Sequence, residues 1–356
     1  MSPRILAIYV VLFVLAAVGV PMVANSGFEP AERLQTIVAT VYVGIHESFG
    51  AQQPCAGGSA EDYWCWEAHF KALAYKNPQS ALAKLRAEYL QGSYPGKECH
   101  ALLHVIGKAA AVRYGTISDA FLRGDAFCQS GYYHGVLMGV FSETGADTLL
   151  ASTDSICRDV QGKQRYSRDY FLCVHGIGHG LMTYFDRNVE DALRACGSLS
   201  GMWEEQACAG GVFMENVMSA EASTFLKQDD LTYPCSVVEK QYRYNCYMYH
   251  VPYVWAQLGN TSDVFSFCDE LDDAYRAACY QGLGGSVIDS SYSAEHVIAE
   301  CAIAKDQLVI TQCLLGAGHE FLVYYHSLAR AQALCDGAGE HREYCKEALA
   351  STYADF

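Results

Sequence analysis

Five of the twelve histidines in this chain fall where they could serve one metal. Three segments, LLHVIGKAAAVRYG from Leu102, YYHGVLMGVFSETG from Tyr132 and CVHGIGHGLMTYFD from Cys173, stack without gaps. That places His104, His134 and His175 in one column. His100 lies four residues before His104, and His179 lies four after His175. Residues four apart share a helix face, one turn from each other. If the three segments are neighbouring helices about 8–10 Å apart, the imidazoles can meet between them.

Imidazoles with a carboxylate or water suit Zn²⁺ or Cu²⁺, and with open positions iron. Glu143, Asp147 and Asp186 lie further along the same segments and are the candidate carboxylates. An open coordination position would permit hydrolysis by a metal-activated water. Two other readings compete. A column of His can record a packing slot between helices, or a metal-free groove in which imidazoles donate to a ligand. The column fades later, where Gly210, Met248, Gln281 and Leu315 occupy it. A purely structural slot should persist, so the asymmetry favours function. His319 shares the column of His179 but stands alone. His319-Glu320 lacks a second His four residues after the first, so it does not form a zinc-protease helix.

The elements that must hold these residues are read from the cysteines. There are 16, and from Cys157 onward they come in pairs: Cys157/Cys173, Cys196/Cys208, Cys235/Cys246, Cys268/Cys279, Cys301/Cys313 and Cys335/Cys345. Successive pairs start 33–39 residues apart, the period of a helical repeat. Segments before the first cysteines, such as VEDALRAC and TSDVFSFC, carry apolar residues at helical spacing. Thr261 or Ser262, and Ser293, stand at the expected N-caps. Each unit therefore reads as helix A, a turn and helix B, with one cysteine late in A and one early in B. Those positions face each other across a hairpin, so pairing within each hairpin is expected. Zinc sites built on thiolates prefer C-x₂₋₄-C spacing, which never occurs. Cys55 pairs with Cys65 across a loop, leaving Cys99 and Cys128 to pair by elimination. Repeated glycines early in helix B, each costing about 1 kcal/mol in a helix interior, point to close helix approach or to backbone meeting a ligand, with close packing favoured.

The architecture resembles tetratricopeptide-like helical-hairpin repeats, especially secreted kinds in which a disulfide ties the two helices of a hairpin. The likeness covers roughly residues 98–350 and rests on period and cysteine placement. It implies a binding or scaffolding role. The fold class expected is all-α: an α/α-hairpin repeat array, or solenoid, with one disulfide per hairpin.

An apolar run without charge spans Ile5 to Ala24, long enough for a membrane helix. Met22-Val23-Ala24 is a poor cleavage site, so a retained anchor is favoured over a cleaved signal. Arg4 before the run and Glu29 and Glu32 after it orient the body outward, and abundant paired cysteines agree with an oxidising compartment. The expected organisation is an anchor over 1–24, an N-terminal helical segment over 25–97 and the disulfide-linked array over 98–356. Residues 30–48 read as a helix, and Leu308 to Tyr325 as a buried helix rather than a second span. A net charge of −16 argues against nucleic acid, whose phosphates it would repel.

Two functions follow. One is a membrane-anchored, extracytoplasmic binding or scaffold module with a His-lined inner groove, engaging a protein or small-molecule ligand. The other is a metal-dependent enzyme centred on His100, His104, His134, His175 and His179.

Overall fold

The computed structural model describes residues 55, 60–125, 127–128, 130–143, 155–158, 160, 166–218, 224–288 and 293–353. The expected anchor over 1–24 and the helix over 30–48 lie outside these residues, as does Asp147. Among the described residues all regular structure is helical, and no helix is long and apolar enough to cross a membrane.

In chain order the α-helices are α1 (Ala60–Lys76), α2 (Pro78–Leu90), α3 (Tyr94–Lys97), α4 (Cys99–Tyr114), α5 (Ile117–Phe121), α6 (Gly131–Glu143), α7 (Arg168–Tyr184) and α8 (Val189–Cys196). They continue with α9 (Met202–Met218), α10 (Arg243–Leu258), α11 (Thr261–Asp269), α12 (Asp273–Ser286), α13 (Ala294–Cys301), α14 (Gln307–Tyr325), α15 (Leu328–Ala333) and α16 (Arg342–Ala350). The longer helices α4, α6, α7, α9, α10, α12 and α14 pack one against the next in sequence order. Helices α1 and α2 pack on α4, within the same apolar core that runs to Tyr353.

Local chemistry explains where the helices start. Ser167 caps α7 by accepting from the Tyr170 N–H, and Asn188 caps α8 by accepting from the Asp191 N–H. Such caps satisfy backbone donors that the first turn leaves without partners. Ser293 caps α13 as expected. The cap of α11 is Asn260, not Thr261 or Ser262: its side chain accepts from Asp263 N at 3.0 Å. Asn caps well because its short carbonyl reaches back to the first turn.

All eight cysteine pairs are joined as the spacing predicts, Cys99–Cys128 included, with Cα–Cα distances of 5.3–6.2 Å. The hairpin grammar holds for α8/α9, α11/α12 and α13/α14, where the first cysteine sits in the last turn of the short helix. It fails elsewhere. Cys235 lies in a run of turns and Cys335 in a 3₁₀ segment, while Cys99 opens a long helix instead of ending a short one.

Glycine sets the distance between the His-bearing helices. A Cβ on Gly107 of α4 would strike the Tyr132 carbonyl, and one on Gly135 of α6 would strike the His104 carbonyl. Gly178 of α7 and Gly211 of α9 form a second reciprocal pair, against the Cys208 and His175 carbonyls. Close approach is therefore what these glycines supply.

An open array touches only its neighbours. This chain departs from that expectation, because its C-terminal hairpins return to α7. Arg168 Nε donates to the Val323 carbonyl at 2.7 Å, across 155 residues. Phe171 meets the Tyr353 ring at 5.6 Å. Helix α14 (Gln307–Tyr325) is a buried core helix, as read from its polar interruptions.

Candidate metal centre

The three-helix seam brings the five histidines together. His100 and His104 project from one face of α4, with ring centroids 4.4 Å apart. His134 of α6 lies 5.4 Å from His100 and 5.8 Å from His104. On its other side it stacks on His179 at 3.6 Å and 18°, and it sits 5.7 Å from His175. His134, His175 and His179 are buried, at 1%, 4% and 0% exposure; His100 and His104 are half-buried.

Two ligand sets result: His100, His104 and His134, and His134, His175 and His179. Within each, one nitrogen per ring lies within 4.8 Å of the others.

The inner set has the tighter geometry. Nε2 of His175 and Nε2 of His179 face each other at 3.3 Å. Ligand bonds of about 2.0–2.1 Å in a tetrahedral site put neighbouring donor atoms about 3.3–3.4 Å apart. Without an ion, one of these nitrogens donates a hydrogen bond to the other. An ion at that point would take the place of that hydrogen bond.

The far side of the His179 ring is anchored. Its Nδ1–H donates to Glu215 Oε2 at 2.7 Å, which fixes the tautomer and leaves the Nε2 lone pair facing the seam. Glu215, on α9, is itself buried. Burial opposes its ionisation, but the hydrogen bond from His179 prevails and holds the carboxyl well below its usual range. On α4, His100 Nδ1 donates to the Cys128 carbonyl at 2.9 Å and aims Nε2 inward in the same way.

What a packing slot would need is missing. Nε2 of His100, Nε2 of His104 and Nδ1 of His134 are buried with no hydrogen-bond partner. Nδ1 of His175 has none of good geometry, although the Ala207 backbone lies beside the ring. Buried polar atoms are nearly always paired, so four such nitrogens in one cluster call for an occupant. Burial drives the protonation equilibria the same way. It holds His104, His134 and His175 well below the usual imidazole value and His100 at about 4, with neighbouring histidines adding to the effect. The rings are neutral at pH 7 and offer lone pairs, the form that metals bind.

Of the carboxylates expected from sequence, Asp186 does not reach the seam. Asp186 is exposed in the turn after α7, at φ 49°, because α7 ends before its side chain can face the seam. Glu143 is the last residue of α6. Glu215 is the carboxylate at the seam, and it stands behind His179 as a hydrogen-bond acceptor, outside both His sets. A signal for it existed in the repeat: it stands seven residues after Cys208, as Glu320 stands seven after Cys313.

His319 joins neither set, and burial lowers it to about 4. Burial pushes the neighbouring Glu320 carboxyl up to about 7. Across the interior, Tyr249 packs its ring 5.4 Å from His175; burial raises its phenol, and the Glu320 charge adds to that. Gly210 makes room for this contact, since a Cβ there would meet the Tyr249 ring and His175 Nδ1.

The tetratricopeptide-like likeness rests on hairpin period and cysteine placement alone. Comparison with known proteins returned no matching family model, no similar curated protein and no similar solved structure.

Proposed function

We propose that this chain is an extracytoplasmic metal-binding protein whose primary ion is held by His134, His175 and His179, with Glu215 orienting His179. Eight disulfides are typical of oxidising compartments outside the cytoplasm, and the run Ile5 to Ala24 tethers the body to a membrane in this reading. The observation that carries it is the 3.3 Å separation of two imidazole nitrogens, one backed by a buried carboxylate. A plain binding groove leaves the partnerless ring nitrogens unexplained; an ion satisfies them.

An all-nitrogen set suits Zn²⁺ or Cu²⁺. Three imidazoles leave a fourth tetrahedral position open, as in catalytic zinc sites, where a bound water ionises near pH 7. Metal-dependent hydrolysis is accordingly the activity this site would support. The half-buried His100 and His104 mark the side from which solvent and substrate reach it.

The test is metal analysis of the full, oxidised chain after dialysis against limiting Zn²⁺ and Cu²⁺. Stoichiometric metal is expected in the wild type, with a loss in His175→Ala and in His179→Ala. A wild type that retains no ion, or variants that bind as well as it does, would sink the reading.

A further inference from the structure

We propose that the centre is dinuclear, with a second divalent transition-metal ion bound by His100, His104 and His134 and His134 shared between the two ions. This rests on the metal reading above and extends it from one ion to two.

The cluster resolves into two three-residue sets, each within ligand range, and not into one five-membered set. His134 alone belongs to both. A single tetrahedral ion takes at most four ligands, so one ion would leave part of the cluster without a partner. The outer set also has its own orienting device. His100 Nδ1–H is held by the Cys128 carbonyl, as His179 Nδ1–H is held by Glu215. Cys128 sits in the left-handed region at φ 51°, a conformation unfavourable for a residue with a Cβ. It is tied there to Cys99, the residue before His100. The bridge thus fixes the carbonyl against the ring of the neighbouring residue. Finally, each residue of the outer set carries a buried ring nitrogen without a hydrogen-bond partner: Nε2 of His100, Nε2 of His104 and Nδ1 of His134.

His134 serves both ions through its two ring nitrogens. Binding the second ion displaces its remaining N–H proton to solvent, and the imidazolate formed supplies one negative charge between the cations. Glu215 supplies another behind His179. Each ion keeps an open position for water or an anionic ligand.

The two ions should exchange differently, because the inner set is buried and His100 and His104 are half-buried. The experiment uses the full oxidised chain loaded with Zn²⁺, and separately with Cu²⁺. Two ions per chain are expected, with a chelator such as EDTA removing one quickly and the other slowly. His104→Ala should keep one ion and lose the fast phase. With Cu²⁺, two spins coupled through a shared imidazolate should give less paramagnetic resonance intensity per copper than the single ion of His104→Ala. His100→Ala and His104→Gln serve as second variants if His104→Ala does not fold, judged by its circular dichroism. One ion in the wild type, unaffected by His104→Ala, overturns the second site and leaves the primary site standing. No ion in any form overturns both.

Discussion

Glu215 Oε2 and His179 Nδ1 lie 2.7 Å apart across the α7–α9 seam, joining residues separated by 36 positions. The contact exists because Gly178 and Gly211 let the two backbones touch. It orients the His179 ring with Nε2 toward the other histidines, as a ligand would require. A carboxylate behind a ligating imidazole fixes its tautomer and raises its basicity.

Glu215→Gln keeps the shape and removes the charge. Zinc affinity measured by chelator competition should fall about 10–100-fold, while the far-ultraviolet dichroism of the helices stays unchanged. An unaltered affinity would mean that Glu215 only fills space.

Gly211→Ala tests the seam. The new Cβ would meet the His175 carbonyl, and backbone cannot yield as a flexible side chain can. We expect a loss of about 1–3 kcal/mol, in the range of overpacked cores, together with weakened zinc binding. A melt and a zinc titration on the same preparation check both. Ala at exposed Gly92 is not a clean control, because φ there is +63°.

The metal-free protein should lose stability in mild acid. Burial depresses His100 and His250 to about 4 from 6.5. The unfolded chain therefore takes up protons near pH 6.5 that the folded chain refuses until about pH 4. Stability from these groups is complete above pH 6.5 and is lost as pH falls through that window, by up to about 1.4 kcal/mol per pH unit for each group. His250 lies outside the ligand sets and donates from Nε2 to the Leu231 carbonyl. Urea midpoints of His250→Gln between pH 7 and pH 4 should show a shallower slope than the wild type.

Glu320 has the opposite sign. Its carboxyl is raised from 4.5 to about 7 by burial, so it favours folding below pH 4.5 and that benefit is lost as pH rises to 7. Glu320→Gln removes the penalty of a buried charge. It should stabilise the protein by about 1–3 kcal/mol at pH 8 and by much less at pH 4.5, read from melts at the two pH values. Equal effects at both would show that ionisation of Glu320 is not involved.

Cys196→Ala with Cys208→Ala opens a loop with a sequence separation of 12. The loop-entropy account predicts a cost of about 3 kcal/mol, seen as a lower denaturant midpoint. Because the bridge lies at the start of the α9 run that carries Glu215, zinc affinity should fall as well.

Much of the architecture can be read along the chain. Cysteines at helical-repeat spacing have one economical pairing, since residues on either side of a tight turn are forced close; the six bridges from Cys157 onward follow it, and Cys99–Cys128 is reached only by elimination. The histidine column is equally linear information: a fixed step of 3.6 residues puts His100 over His104 and His175 over His179. Where the grammar of a short helix breaks down, as at Cys235 and Cys335, turn and 3₁₀ geometry still deliver the cysteine to its partner.

What the order of residues does not carry is the rotation of one helix against another. Asp186 and Glu215 are both acidic residues near the end of a helix, and although the repeat position of Glu215 recurs at Glu320, it does not say which acid meets a histidine. Only the α7–α9 contact, closed by two glycines, aims Glu215 at His179 while Asp186 turns to solvent. The division of five histidines into two sets around His134 likewise arises from packing, as does the return of α14 to Arg168 across 155 residues. Sequence periodicity determines which residues share a face. The distances at which faces meet decide which of them become a site.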